Sequence, residues 1–208
     1  PDSQEKLWLG THYGLCRVDL SNDQILSFLP QSDSSIKGDI IYSITEDNEA
    51  YMWFGTNRGL SRLNVPVWEN QKFNLKNKHD LTFTNFTTGD GLPGHVVYLV
   101  VEDKNGDIWA GTNNGLARFE KNEKQFTSFP VSDGITEPVF NPSACFRSSE
   151  GKLYFGTQDG LLEFHPDSIL SGNSNSRVVI TDVLINYRSP YEFQNGLENN
   201  ARRSQISA

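Results

Sequence analysis

Short apolar runs, broken at regular intervals by turns rich in Asx and Gly, set the pattern of the chain. The clearest stretch begins with Val96–Val101, almost continuously apolar, and continues through Glu102-Asp103-Lys104-Asn105-Gly106 into Asp107–Thr112. Asn113-Asn114-Gly115, then Leu116–Phe119 and a last piece Gln125–Phe129, complete it. Runs of five or six residues rich in Val, Ile, Phe and Trp, punctuated this way, predict strands joined by tight hairpins. No part of the unit carries apolar spacing of 3.6 over a helix's length, so a helical solenoid is excluded. The expectation is four short antiparallel strands per unit, named A to D from the inside outwards.

The unit repeats. Trp8-Leu9-Gly10-Thr11-His12-Tyr13-Gly14-Leu15 recurs as Trp53-Phe54-Gly55-Thr56-Asn57-Arg58-Gly59-Leu60 and as Trp109-Ala110-Gly111-Thr112-Asn113-Asn114-Gly115-Leu116. Tyr154-Phe155-Gly156-Thr157-Gln158-Asp159-Gly160-Leu161 is a fourth copy. The intervals Gly10 to Gly55, Gly55 to Gly111 and Gly111 to Gly156 are 45, 56 and 45 residues, so the middle one holds an insertion of eleven within Val65 to Leu81. A four-stranded unit of this length with one aromatic-Gly signature is the period of a β-propeller blade. Both faces of such a blade are covered by neighbours, which accounts for the unbroken apolar strand A. The Thr-x-x-Gly hairpin puts glycine where φ must be positive. Gly10, Gly55, Gly111 and Gly156 lie inside strand B, where a missing side chain admits a close neighbour, and the tryptophans are expected to fill those gaps.

Counting back six residues from Trp53 and Trp109 reaches Asp47 and Asp103, and the same count from Trp8 reaches Asp2. Strand A of the first unit is therefore expected to lie outside this chain. The expected fold class is all-β: four propeller blades in an incomplete ring at 1–30, 31–87, 88–130 and 131–170, the first lacking a strand. A linker at 171–177, rich in Ser, Gly and Asn, should lead to one or two strands of a new domain at 178–208. Such an arc exposes two blade faces, which implies a segment of a longer propeller protein.

The unit Glu102 to Leu116, preceded by Asp90-Gly91-Leu92-Pro93, resembles the two-component regulator propeller repeat. The fourth unit, with Phe140-Asn141-Pro142 before strand A and Phe164-His165-Pro166-Asp167 after strand C, resembles the last blade of the sensor propeller in hybrid two-component proteins of Bacteroides type. Val178 to Asn186 is similar to the opening of the immunoglobulin-like Y_Y_Y domain that links propeller to membrane in that family, which implies the first strands of an immunoglobulin-like β-sandwich at 178–208. The resemblance implies a periplasmic segment of an inner-membrane histidine kinase that detects glycan breakdown products, its partners being the remaining blades, the Y_Y_Y domain and a second copy in a dimer. Two departures stand out: Ala50-Tyr51 in place of a turn glycine and a polar residue, and Arg147-Ser148 in place of Glu-Asp.

Charge removes one class of partner. With 18 Lys+Arg against 26 Asp+Glu, a net −8, there is no basic stripe and a nucleic-acid partner is not expected. Cys16 and Cys145 fall in different units and read as buried free thiols. In an up-and-down blade the B to C and D to A connections emerge on one face. His12, Tyr13, Asn57, Arg58, Asn113, Asn114, Gln158 and Asp159 should thus share a face with the loops 88–95 and 132–138, including His95. Amide, guanidinium and aromatic groups there suit a hydroxyl-rich ligand such as a glycan. Arg58, His12 and Tyr13 are the stronger candidates, since Asn and Asp favour turns for their own sake. Trp68, in the insertion, is a candidate stacking residue that caps that face or projects elsewhere. Glu46-Asp47 and Glu102-Asp103 look like catalytic pairs, but they begin hairpins where Asp binds turn amides. No nucleophile elbow, P-loop, HExxH or metal spacing among His12, His79, His95 and His165 is present. No catalytic residue, metal or cofactor is therefore expected, and the chain reads as a binding or sensing module, not an enzyme. The alternatives are a propeller enzyme of lyase or lactonase type, and a protein-interaction scaffold.

Overall fold

The computed structural model describes residues 1–30, 35–69, 73, 81–129 and 139–169. The linker and the sandwich expected from 171 onwards, and the loop 132–138, lie outside the described residues. Among the described residues, fourteen strands form four antiparallel sheets. The first sheet holds β1 (Leu7–Thr11), β2 (Gly14–Asp19) and β3 (Gln24–Phe28), which are strands B, C and D of a blade. The second has all four: β4 (Ile41–Glu46), β5 (Met52–Thr56), β6 (Gly59–Leu63) and β7 (Phe83–Phe86). The third repeats it with β8 (Val97–Glu102), β9 (Ile108–Thr112), β10 (Gly115–Glu120) and β11 (Gln125–Phe129). The fourth shows A to C as β12 (Phe140–Arg147), β13 (Leu153–Thr157) and β14 (Gly160–Phe164).

One apolar cluster lies at each junction between consecutive blades. Trp8, Leu15 and Phe28 of the first blade pack on Met52, Phe54, Leu63 and Phe83 of the second. Trp53 and Leu60 pack on Val97, Val100, Ile108 and Phe119 of the third, and Leu99, Trp109 and Leu116 on Phe140, Leu153 and Phe155 of the fourth. Alternation along strand B explains the split: Trp53 faces forward into the next blade, while Met52 and Phe54 face back. All five residues of β5 and of β9 are buried, as expected for strands covered on both sides. A fully buried side chain of this size contributes roughly 1.5–3 kcal/mol.

The tryptophans do not fill the gaps left by the strand-B glycines: strand A of the following blade does at Gly10 and Gly55, and strand A of the same blade comes nearest at Gly111 and Gly156. A Cβ at Gly10 would lie 2.8 Å from Ile41 Cβ, and one at Gly55 would lie 2.7 Å from the Val97 carbonyl oxygen. Inner strands are also stitched together by polar bonds: Thr45 Oγ1 donates to Val100 O at 2.6 Å, and Val100 N–H donates to Ser43 Oγ at 3.1 Å. Cys16 and Cys145 are free thiols as expected, but half-buried, and burial pushes the Cys145 thiol pKa up.

Each strand-B tryptophan is held by the aspartate six residues before it. Asp103 accepts from Asn105 N–H at 2.8 Å and Asp107 N–H at 3.0 Å through Oδ1, and from Trp109 Nε1–H at 2.8 Å through Oδ2. Asp47 and Asp2 do the same for Trp53 and Trp8, again at 2.8 Å. An arginine opposite the indole on strand C lies over its ring: Arg17, Arg62 and Arg118 are 5.8, 5.6 and 5.9 Å from the centroids of Trp8, Trp53 and Trp109. The fourth blade changes this set together, with Ser148, Tyr154 and Glu163 in the places of Asp, Trp and Arg. The turn glycine replaced in the second blade is Ala50, which adopts φ 64, while Gly106 and Gly151 hold φ 91 and 94 at that position.

At the A to B end, Lys121 Nζ bridges two blades, 2.9 Å from Asp47 Oδ2 and 3.0 Å from Glu102 Oε1. Burial works to lower its pKa, but the hydrogen bonds and charges of Asp47 and Glu102 outweigh it, and the ammonium titrates above the ordinary lysine value.

Three outcomes test this architecture. Asp103→Ala strands three donors and should cost about 2–4 kcal/mol in urea unfolding, well beyond the cost of Ser148→Ala at the matching turn. Gly55→Ala forces apart β5 and β8 and should lose about 1–3 kcal/mol, measured the same way. Lys121→Met should destabilise by about 1–3 kcal/mol at neutral pH. Because the folded pKa is raised, that difference holds below the ordinary lysine value of 10.5 and shrinks as pH rises through the higher folded one, which a pH series of melts would read.

Candidate functional site

The hairpins between strands B and C are built alike. The threonine hydroxyl donates to the carbonyl of the glycine three residues on, at 2.9 Å for Thr11, 2.9 Å for Thr56, 2.8 Å for Thr112 and 3.1 Å for Thr157. In the first three it also accepts the backbone N–H two residues on, from Tyr13, Arg58 and Asn114. With Gly59 at φ 117, the two residues between are carried at the hairpin tip. The sequence thereby presents two variable side chains per blade on one fixed frame.

The two tip positions do different work. Asn57 N–H donates to Ile40 O at 3.2 Å, its Oδ1 accepts from Ile40 N–H at 3.3 Å, and its Nδ2 donates to Asp39 Oδ1 at 2.7 Å. Asn113 likewise exchanges bonds with Val96, at 3.0 Å and 2.9 Å. These amides tie the D to A loop to the hairpin, which puts both connections on the same face of the blade. Asn57 and Asn113 are therefore framework: they anchor the site rather than present free groups. The hydrogen bond from Asn57, with a smaller part from the Arg58 charge, holds the Asp39 carboxyl below its usual range.

The second tip position carries Tyr13, Arg58, Asn114 and Asp159, all exposed, Tyr13 at 83%. His12 and Gln158, first-position residues, are exposed too, and Gln158 is joined to Val139 through its backbone N–H alone. Asn114 spends its Nδ2 on Pro93 O at 2.9 Å and keeps its carbonyl oxygen. His95 is exposed in the D to A loop beside it. Trp68 stands apart from the other nine. Val67 N–H donates to Ala50 O in the A to B turn, so the described part of the insertion runs over the opposite end and does not cap the hairpin face. Trp68 is 60% exposed there. The framework role of Asn57 and Asn113 leaves a trace in sequence, since Gly38 and Gly94 stand where a Cβ would collide with those same amides.

At the A to B end the carboxylates have structural partners. Asp47 and Asp103 hold turn amides and indoles, and Glu102 accepts from Asn48 N–H of the preceding blade. Among the described residues no three of His, Cys, Asp and Glu come together as metal ligands. Nor, among them, is any helix long and apolar enough to cross a membrane.

A family model described as two component regulator propeller matches residues 91–114, from the loop before β8 to the B to C hairpin of the third blade. Histidine kinase P4 of Formosa agariphila is 29% identical over 193 residues, covering 90% of this chain and 13% of that protein. The extracellular domain of a hybrid two component system from B. thetaiotaomicron superposes with a TM-score of 0.56 at 23% identity, over 81% of this chain and 27% of that one. The extracellular domain of a one component system from the same organism gives 0.61 at 20% identity, over 84% and 24%. The chain thus spans about an eighth of its curated relative and about a quarter of each solved domain. The third unit matches that family model directly and the other three repeat its hairpin and its strand-B glycine, so the described residues form an arc of β-propeller blades similar to those of two-component regulator propeller proteins.

Proposed function

We propose that this segment is the extracytoplasmic, ligand-sensing part of a hybrid two-component signalling protein, and that it detects a glycan or oligosaccharide and so controls its use. The observation that carries the reading is the division of labour at the hairpin tips. Asn57 and Asn113 hold the frame, while Tyr13, Arg58, Gln158 and Asp159 extend their side chains from it into solvent. An aromatic ring, a planar cation and amide or carboxylate oxygens on adjacent blades offer the stacking surface and the bidentate donors and acceptors that sugar hydroxyls use. A ligand bound there acts on a kinase only through different affinities for two arrangements of the surrounding domains, including a dimer.

The alternative, a propeller enzyme of lyase or lactonase type, calls for carboxylates and histidines converging on a metal. Calorimetric titration of the chain with a panel of oligosaccharides should give saturable binding, weakened on the order of tenfold or more by Arg58→Ala or Tyr13→Ala. Binding indifferent to both changes, or stoichiometric metal in the purified protein, would overturn the assignment of this face.

A further inference from the structure

The three described junctions between blades differ in one bond at the A to B end. After the turn aspartate, the next backbone N–H points at the following blade. At the first junction Ser3 N–H donates to Glu46 Oε2 at 2.6 Å. At the second, Asn48 N–H donates to both oxygens of Glu102, at 3.0 and 3.1 Å. Glu46 and Glu102 are the last residues of β4 and β8, so each strand A ends in a carboxylate that binds the turn of the blade before it. The matching residue at the end of β12 is Arg147. It is a donor, and Nη1 turns instead to the carbonyls of Glu102 at 3.1 Å and Asp103 at 2.7 Å. The Lys104 N–H, equivalent to those of Ser3 and Asn48, has no acceptor among the described residues.

A cleft of about 330 Å³ opens at this place, lined by Lys104, Arg147, Ser148 and Ser149, with Glu102 and Asp103 on its inner wall. The size is at the low end for small-ligand pockets. The wall carboxylates are already engaged: Glu102 by Lys121 and Asn48 N–H, Asp103 by two turn amides and the Trp109 indole. Arg147 comes only within 3.9 Å of Glu102 Oε2, too far for a hydrogen bond. A backbone donor, an exposed guanidinium and the Lys104 side chain therefore surround a space whose own carboxylates are already engaged.

We propose that this cleft binds a carboxylate from outside the blade contacts, which takes the place that Glu46 and Glu102 fill at the other two junctions. The carboxylate belongs either to a soluble acid, such as a sugar acid, or to an Asp or Glu side chain of another polypeptide. The site lies at the opposite end of the blades from the B to C hairpins, so it stands or falls independently of the sensing face. Charge-assisted bonds from Arg147 and the amide supply the affinity, which solvent exposure keeps weak.

The test is a titration of the isotopically labelled 208-residue chain with sodium acetate at constant ionic strength, following the Lys104 amide resonance. A saturable shift confined to the cleft is expected. Arg147→Glu rebuilds the internal carboxylate, so the Lys104 resonance should sit near its acetate-saturated position and acetate should no longer move it. Arg147→Gln removes the cation alone and should weaken acetate binding on the order of tenfold. Sodium glucuronate and N-acetylglutamate N-methylamide, with neutral glucose as control, separate the two sources: the tighter of the acids identifies the kind of ligand. No acetate-dependent shift at Lys104, an undiminished shift in Arg147→Glu, or unchanged affinity in Arg147→Gln would each overturn the proposal.

Discussion

The buried aspartate at the start of each A to B turn is the contact on which the first three blades depend. Its two oxygens close the turn and hold the indole nitrogen six residues later, and that indole is the largest group each blade presents to the next. A carboxylate withdrawn from water is tolerated only when its lone pairs are occupied, and here they are taken up by three donors. The same charge then meets Lys121 between the second and third blades. Hairpin, strand and inter-blade packing are consequently one unit: a change at the turn is felt in the apolar layer beyond it.

Much of this was legible beforehand because it is local. The Thr-x-x-Gly hairpins, the strand-B glycines and the six-residue step from Asp to Trp fall within one short stretch of each unit, Asp103 to Gly115 in the third, so the repeat displays them directly. Contacts between blades join residues far apart in the chain, and sequence spacing carries no trace of them. Asn57 read as a candidate ligand residue or an ordinary turn former, yet it pins the loop before β4; the signal lay in Gly38, whose missing side chain makes room for it. The glycines in strand B were placed correctly, but their neighbours are strand-A residues, Ile41, Val97, Leu99 and Ala144, rather than the tryptophans. The side taken by the insertion became clear only from the bond between Val67 and Ala50.

The two ends of the blades use their polar groups in opposite ways. At the A to B end, carboxylates, turn amides and Lys121 satisfy one another across the junctions, so chemistry there is committed to assembly. The exception is the fourth blade, where Ser148, Tyr154, Glu163 and Arg147 depart from the pattern together and an amide is left over. At the B to C end, side-chain amides bind hairpin to preceding loop within a blade, and Gly14 N–H to Asp39 O crosses from the first blade to the second. Of the outer tip side chains, Asn114 alone among the described residues takes part in this bonding, through Pro93 O.

That last arrangement bears on how such proteins diversify. Since Tyr13, Arg58, Asn114 and Asp159 occupy one equivalent position on four equivalent frames, each can be exchanged with little effect on the layers beneath. Four independent substitutions can therefore redraw the chemistry of an entire surface, and a lineage could acquire a new specificity in single steps, each compatible with a stable fold.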